Sequence, residues 1–413
     1  MLSLTHGTAQ TQQDLVSDSL TTDSLTTDTL ASDTIVIDSA EVKLSVQERI
    51  ERLLDTDMFE TSQLGLVCLD LTADTIIYQR GARQTLRPAS TMKLLTAITA
   101  LDHLGDSYRF TTTLTGKGTL VTDSLGKHTY IGDIVIRGGM DPRFSSDDMA
   151  SFVECITQQG IDTICGNIRA DRKFKDDKLL GEGWCWDDKN PILSPLLYSR
   201  KDNFIDVFSQ RLRDAGVVIV EPDGERAEPS EPMNISCSRH HTLGQVLTRM
   251  MKESDNWYAE SMFYQIGATD GTPSTAKKSV AVMKQLIKKL HLNTDRYRIA
   301  DGCGLSLYNY QTAELQAQLL RYAYHNADIY NNLYRSLPIA GVDGTLSKRM
   351  RGTKAQGNVH AKTGTLSSIS SLSGYLRAEC GNDIAFVIIN QGIMHAANAK
   401  RFQDKVCLIL CDY

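Results

Sequence analysis

The chain has 413 residues, a length that favours two folded units or one unit with a large insertion. Hydrophobic residues make up 41% and charged residues 23% of the sequence, so a wholly disordered or collagen-like chain is excluded. No apolar stretch reaches the ~18–20 residues that span a bilayer, and the net charge of −6 comes without a basic stripe. These features exclude a polytopic membrane protein and argue against a nucleic-acid partner.

The first forty residues differ in composition from the rest of the chain. Aspartates recur every five residues, and no Lys or Arg precedes Lys43. A period of five fits neither a helix face nor a strand, so we expect residues 1–40 to be a disordered acidic tether. No basic segment followed by a long apolar run precedes the tether, so no secretory signal is expected in this sequence. The aspartates are Asp18, Asp23, Asp28, Asp33 and Asp38.

The next elements are predicted from capping and periodicity. Ser45 has the character of an N-cap for a helix that extends to Leu54. Leu64–Asp70 and Thr75–Gln79 are typical of two strands of a hairpin. The apolar run from Met92 to Leu104 predicts a largely buried helix.

The middle of the chain has a different pattern of predicted secondary structure. Residues 109–232 consist mainly of short β-rich runs joined by Gly and Asp turns, with one helix predicted over Asp148–Gln159. Helical patterns resume at Thr242. Two strands are predicted near the C-terminus, over Leu366–Leu376 and Ile384–Asn390, before a final helix.

This order predicts an α+β fold in which an antiparallel sheet is flanked by helices. We expect residues 41–108 and 233–413 to form the main domain and residues 109–232 to form an inserted β-rich subdomain. The nine cysteines are scattered without metal-binding spacing, so we interpret them as small buried side chains rather than a disulfide frame or a metal site. Cys407 and Cys411 fit the core side of the last helix. No metal or other cofactor is expected.

Three short motifs suggest chemistry: Ser90-Thr91-Met92-Lys93, Ser254-Asp255-Asn256 and Lys362-Thr363-Gly364. The first pattern also occurs at Ser124 and Ser274, but only Ser90 opens an apolar helix upstream of the other two motifs. Each motif alone could be a helix start, a capping loop or a strand end. The ordered set favours a nucleophilic serine.

The chemistry requires these residue types at this spacing. A serine hydroxyl is a weak nucleophile and needs a base within hydrogen-bond reach. Residues three apart on a helix share a face, so Lys93 is expected beside Ser90. Burial and a second positive charge from Lys362 can lower a lysine pKa enough for the amine to accept a proton. A strand that carries Lys362 can also pair with an extended peptide.

Together these residues resemble the low-molecular-mass class C penicillin-binding proteins, which are D-alanyl-D-alanine carboxypeptidases that often act as endopeptidases. The resemblance extends from about residue 45 to the end and implies a fold like that of serine β-lactamases and transpeptidases. Further matching segments are Gly138–Pro142, Gly166-Asn167, Gly183–Asp188, Ala259-Glu260, Asp301–Ser306, Ala340–Leu346 and His360–Leu366.

The resemblance implies a role for each matching residue. Ser90 would form an acyl-enzyme, with Lys93 as its base. Ser254 would relay a proton to the leaving amine, helped by Lys362. The remaining predicted roles concern substrate. Asn256 would bind the substrate amide, and the hydroxyls of Thr363 and Thr365 would hold the terminal carboxylate, with Gly364 between them as a further substrate-binding residue. The backbone N–H groups of Ser90 and Thr365 would form the oxyanion hole, and Asp141 would contact a diaminopimelate side chain.

The expected substrates are peptidoglycan stem peptides ending in D-Ala-D-Ala, with β-lactams as inhibitors and a periplasmic or envelope location. Asp141 has an equally good interpretation as a turn residue before Pro142. His360 is a weaker candidate for contact with substrate. Two alternatives stay open: a β-lactamase-like hydrolase, for which Glu260 and Glu314 are available as bases, and a non-catalytic wall-binding protein of the same fold.

Overall fold

The computed structural model describes residues 44–188, 190–221, 231–268 and 271–413. The expected tether, residues 1–40, lies outside the described residues. The first described helix begins after Ser45, the predicted N-cap. The side chains of Ser45 and Glu48 form a reciprocal capping box. None of the described helices is long and apolar enough to cross a membrane.

The first sheet has five antiparallel strands in the order β10-β11-β12-β1-β2. The hairpin predicted near residue 70 provides two of these strands. The sheet therefore brings together the two ends of the described chain. The strands are β1 (Gln63–Asp70), β2 (Thr75–Arg80), β10 (His360–Leu366), β11 (Ile369–Arg377) and β12 (Asp383–Gln391).

One C-terminal strand prediction was wrong in its limits. The run Leu366–Leu376 is interrupted after Leu366 by a tight turn in which Ser368 has a positive φ of 59°. The third motif consequently lies on a strand of its own, β10, at the edge of the sheet. Pairs of serines recur at 367–368 and 370–371, and only the first pair forms the turn, so residue pattern alone could not locate the break.

Helices cover both faces of the first sheet, which confirms the predicted α+β arrangement. Side chains alternate along each strand. In β1, Leu66 faces a core formed with α1 and α11, while Val67 faces the core of the other helices. The helices are α1 (Val46–Leu54), α2 (Asp57–Thr61), α3 (Met92–Leu104), α6 (Leu243–Lys252), α7 (Asn256–Ile266), α8 (Ala276–Lys289), α9 (Ala313–Tyr324), α10 (Ala327–Ser336) and α11 (Ala396–Cys411).

A second, mixed sheet is built around the long strand β3, which pairs with three other strands. It packs against two helices over its own apolar core. Its strands are β3 (Arg109–Thr122), β4 (His128–Ile131), β5 (Ile134–Arg137), β6 (Thr163–Cys165), β7 (Ile168–Asp171), β8 (Val218–Val220) and β9 (Glu231–Thr242), and its helices are α4 (Ser146–Thr157) and α5 (Phe204–Asp214).

The second sheet extends to Thr242, past the limit drawn at residue 232. Ser45–Tyr413 form one compact unit by their contacts, so the division into a main domain and an insertion stays a prediction.

The interpretation of the cysteines as small buried side chains was wrong for Cys185 and Cys380, which are exposed, and for one pair that is bonded. Cys155 on α4 and Cys237 on β9 form a disulfide across the second core. Pairing of two distant cysteines cannot be deduced from their spacing. Cys407 and Cys411 are buried on α11, as predicted.

Candidate active site

Ser90 lies in a short 3-10 turn, Ala89–Thr91, that leads directly into α3. Lys93 follows in the first turn of α3, on the same helix face. Its amine donates a hydrogen bond to Ser90 Oγ at 3.0 Å. The serine is half-buried, whereas Lys93 has no exposed surface. A reachable hydroxyl with a buried amine beside it is what an activated serine nucleophile requires.

The Lys93 amine has two further hydrogen-bond acceptors. It donates to Asn256 Oδ1 at 2.8 Å and to the backbone carbonyl of Cys303 at 2.7 Å. Burial lowers the pKa of the Lys93 amine, and the neighbouring acidic groups, Cys303 and Asp301 first among them, offset part of that shift. The lowered pKa increases the fraction of neutral amine, which is the form that can accept a proton from Ser90.

The second motif places another hydroxyl beside another buried amine. Ser254, at the junction of α6 and α7, adopts a positive φ of 58°, a conformation that costs about 1–3 kcal/mol and recurs at functional sites. Lys362 on β10 donates to Ser254 Oγ at 2.8 Å and to the Thr363 carbonyl at 2.7 Å. Burial lowers the pKa of Lys362 well below its ordinary value, and the positive charge of nearby Lys93 lowers it further.

Asn256 contacts the first amine–hydroxyl pair and lies two residues after Ser254 of the second. It is the first residue of α7, capped by Asp255, whose side chain accepts a hydrogen bond from Trp257 N at 3.1 Å. The Asn256 Oδ1 atom accepts from Lys93, while Nδ2 donates to Asn190 Oδ1 at 3.2 Å. Asn190 belongs to a segment between β7 and α5, so the region of the second sheet contributes one contact to the site.

The strand β10 passes against the turn that carries Ser90. A Cβ atom added to Gly364 would lie 2.9 Å from Ser90 N and would collide with the Ser371 hydroxyl, so only glycine permits this approach. Thr363 Oγ1 donates to Thr345 Oγ1 at 2.7 Å, and Thr365 is exposed on the same strand. The strand β10 thereby places the Lys362-Thr363-Gly364 motif next to Ser90.

Asp141 lies apart from this cluster. Its side chain has no exposed surface, is paired with His241 Nδ1 at 2.7 Å and accepts a hydrogen bond from Arg143 N at 3.0 Å. Among the described residues, no hydrogen bond links Asp141 to Ser90 or Ser254. This geometry favours the turn interpretation, and a contact with diaminopimelate stays a prediction.

The other candidate side chains do not approach Ser90. His360 stacks on Tyr334, with ring centroids 4.0 Å apart, and burial lowers its pKa. Glu314 pairs with Arg83 at 3.1 Å. Glu260 accepts a hydrogen bond from Gly302 N at 2.8 Å. The described hydrogen bonds thus place neither glutamate beside Ser90 as a deacylating base.

A buried cluster of three potential metal ligands lies behind Lys93: Glu260, Asp301 and Cys303. The Asp301 carboxylate already accepts hydrogen bonds from four N–H groups and from the Cys303 thiol at 3.6 Å, so its lone pairs are used. The N–H donors are Trp184 Nε1, Gly304 N, Ser306 N and Asn309 Nδ2, at distances from 2.7 to 2.9 Å. This donor set fits a structural anchor for the loop and not a metal site.

Residues 46–199 and 197–412 match the D-Ala-D-Ala carboxypeptidase 3 (S13) family, which is nearly the whole described chain. The chain belongs to this family. The predicted resemblance is confirmed, and the serine peptidases of the S13 family supply the class of chemistry that the amine–hydroxyl pairs suit.

Known relatives align with most of the length of this chain. A D-alanyl-D-alanine carboxypeptidase of Actinomadura sp. is 26% identical over 89% of this chain and 85% of its own. The crystal structure of penicillin binding protein 4 from Haemophilus influenzae matches with a TM-score of 0.73 at 23% identity, covering 88% of this chain and 99% of that one. That protein has also been solved complexed with a β-lactam, with a TM-score of 0.71.

A more distant structure has the same fold. A peptidoglycan endopeptidase of Bdellovibrio bacteriovorus matches with a TM-score of 0.56 at 16% identity, over 84% of this chain and 92% of its own. This likeness shows the fold alone.

Two contacts of the S13 site were missed by sequence reasoning. Asn190 reaches Asn256 from 66 residues away in the chain, and Thr345 meets Thr363 from 18 residues away. Thr345 could have been found, because it lies in the matching segment Ala340–Leu346. Asn190 lies in none of the motifs or matching segments, so the sequence did not indicate it.

Proposed function

We propose that the protein is a serine-type D-alanyl-D-alanine carboxypeptidase that cleaves peptidoglycan stem peptides through an acyl-enzyme on Ser90. One observation carries the proposal: two hydroxyls, of Ser90 and Ser254, each accept a hydrogen bond from a buried amine whose pKa is lowered. Membership of the S13 family supports the choice of D-Ala-D-Ala peptides as substrate.

In the acylation step the neutral Lys93 amine takes the proton of Ser90 Oγ as the oxygen attacks the carbonyl carbon between the two D-alanines. The negative charge on the carbonyl oxygen faces the backbone N–H groups of Ser90 and Thr365. The C–N bond then breaks, and the departing amine takes up the proton that Lys93 removed from Ser90, relayed through Ser254 with the help of Lys362. Free D-alanine leaves, and water later hydrolyses the ester.

The edge of the first sheet suits an extended peptide. β10 is the terminal strand, so most of its outer backbone groups are free to pair with substrate, apart from a single bridge between Ile339 and His360. The hydroxyls of Thr363 and Thr365 would hold the terminal carboxylate, and Asn256 would bind the amide of the preceding residue.

β-Lactams would acylate the same serine, in line with the β-lactam complex of the H. influenzae relative. The location of the substrate places the protein in the periplasm or cell envelope. Cleavage of crosslinked peptides, the endopeptidase activity that the resemblance implied, would use the same serine.

The test measures release of D-alanine from a pentapeptide ending in D-Ala-D-Ala. We expect release by the wild-type protein and none by Ser90→Ala, with Ser124→Ala, the first of the two unused copies of the motif, as the matched control that retains activity. Crosslinked muropeptides assayed in parallel separate endopeptidase from carboxypeptidase activity. Rapid nitrocefin hydrolysis without release of D-alanine would instead establish a β-lactamase.

A further inference from the structure

Glu260 is a buried titratable side chain that the proposed reaction does not use. It lies on α7 four residues after Asn256, one helical turn along the same face, and only 1% of its surface is exposed. Its Oε1 atom accepts a hydrogen bond from Gly302 N at 2.8 Å. A buried carboxyl group in such a position needs an explanation, because burying it costs free energy unless it is paired or neutral.

The loop that Glu260 holds is the loop on which Lys93 rests. Gly302 and Cys303 form consecutive peptide groups: the first donates its N–H to Glu260, and the carbonyl of the second accepts from Lys93 at 2.7 Å. Thr96, one turn after Lys93 on α3, donates to the Gly302 carbonyl at 2.6 Å. The base of the reaction and Glu260 are thus connected through one short turn.

The turn is tightly enclosed. A Cβ atom added to Gly302 would collide with the side chain of Phe263, which follows Glu260 on α7. The turn cannot move away from α7 without breaking the Glu260 hydrogen bond. Glu260 therefore contributes to the position of the Cys303 carbonyl, and with it to the position of the Lys93 amine, together with the Asp301 hydrogen bonds that anchor the rest of the loop.

The charge of Glu260 matters as much as its position. Burial, together with the carboxylate of Asp301, raises the pKa of Glu260 to about 8, so the side chain carries a proton at neutral pH. An ionised carboxylate here would favour the ammonium form of Lys93, which cannot accept the serine proton. The other charged or titratable groups that act on this pair are Asp301 and Cys303 on the loop, Asp255 before α7, Tyr264 on α7 and Lys362 on β10.

A cavity of about 400 Å³ reaches Glu260. It is lined by residues of several segments, with charged side chains at its margin that include Lys178, Glu182 and Lys277. This cavity gives the buried carboxyl group a path for proton exchange that does not pass through the peptide-binding edge.

We propose that Glu260 is a positioning residue for the base: through its hydrogen bond with Gly302 N it fixes the Gly302–Cys303 turn that holds Lys93. This inference rests on the proposed function, because it assigns to Lys93 the role of base. Glu260 does not contact the reacting atoms, so its effect is exerted through the turn.

The test compares Glu260→Gln with Glu260→Ala by the second-order rate constant for acylation with a fluorescent penicillin between pH 6 and 10. The amide oxygen of glutamine still accepts from Gly302 N but cannot ionise. We expect Glu260→Gln to match the wild type at pH 6.5, and its rate relative to the wild type to rise as the pH passes about 8. Glu260→Ala should be slower at every pH, because the turn loses its anchor.

Glu314→Gln is the matched control, since it makes the same chemical change at an ion pair outside the site. Its rate should follow the wild type at every pH. Infrared difference spectra provide a readout besides activity: the protonated carboxyl band of the wild type near neutral pH should be missing in Glu260→Gln and present in Glu314→Gln.

Two outcomes would overturn the inference. A constant ratio of Glu260→Gln to wild-type rates across the pH range would show that ionisation of Glu260 does not affect Lys93. A Glu260→Gln variant that is folded by its melting curve and as slow as Glu260→Ala would show that the carboxyl group itself is required. Failure of the wild type to be acylated at all would instead reject the proposed function, so the two failures are distinguishable.

Discussion

The region around the first sheet and the region around the second sheet each bury a lysine, but the two regions give it different neighbours. Lys93 lies beside a hydroxyl that it can deprotonate. Lys175 donates instead to the backbone carbonyls of Asp176 and Lys178, and its amine lies 4.7 Å from the centroid of the Tyr264 ring. A buried amine next to a hydroxyl is arranged for proton transfer, whereas one that closes a loop stabilises the fold.

Cross-links and lysine pKa values also differ between the two regions. The second sheet contains the disulfide Cys155–Cys237 over its own apolar core. Two lysines whose pKa values burial lowers, Lys93 and Lys362, belong to the active site. Positive φ values do not separate the regions, because non-glycine residues adopt them in both.

The largest expected effect comes from replacing each of the two buried lysines, Lys93 and Lys175. Lys93→Ala removes the base, so the rate of acylation by a fluorescent penicillin should fall by about 10²–10⁴. Lys175→Met should leave the acylation rate unchanged while lowering the free energy of unfolding, since it leaves two carbonyls without a donor. Equal losses of acylation in both variants would break the comparison.

The second effect concerns the core of the second sheet. Phe208 on α5 has no exposed surface. Phe208→Ala should lower the free energy of unfolding by about 3–5 kcal/mol, measured by urea denaturation. The folded fraction should still be acylated at the wild-type rate, because Phe208 has no part in holding Ser90. A slower rate per folded molecule would show that the two regions are coupled more closely than their contacts suggest.

The third effect is on pH dependence. Acylation should increase with pH as Lys93 loses its proton, and burial lowers the Lys93 pKa, so the midpoint should lie below the 10.5 of an ordinary lysine. Each unit of lowering gives about ten times more free amine at neutral pH. A stopped-flow profile of acylation against pH checks this, and a midpoint at or above 10.5 would argue against Lys93 as the base.

The smallest effect tests the one described hydrogen bond from the second region to Asn256. Asn190→Ala removes the acceptor for Asn256 Nδ2 and should slow acylation by a factor of a few, corresponding to about 1 kcal/mol. Asn332→Ala, which removes a local hydrogen bond on α10, is the control and should leave the rate unchanged. No change in Asn190→Ala would mean that Lys93 alone orients Asn256.

The sequence predicted those parts of the structure that depend on residues close together in the chain. Ser90 and Lys93 share a helix face because of their spacing, and the N-cap at Ser45 follows from the residues beside it. Long-range pairs had no such signal. The contact of Asn190 with Asn256 and the bond between Cys155 and Cys237 depend on how distant segments pack. Asp141 shows the same limit, since its partner His241 lies on a strand 100 residues later.

The central claim is that the Ser90 hydroxyl and the amines of Lys93 and Lys362 act on one bond. The most direct measurement is mass spectrometry of peptides after stoichiometric reaction with benzylpenicillin, for the wild type and for variants of each lysine. The account predicts one adduct per molecule, on Ser90, formed far more slowly when either lysine is replaced. An adduct on another residue, or undiminished labelling of Ser90 without Lys93, would contradict it.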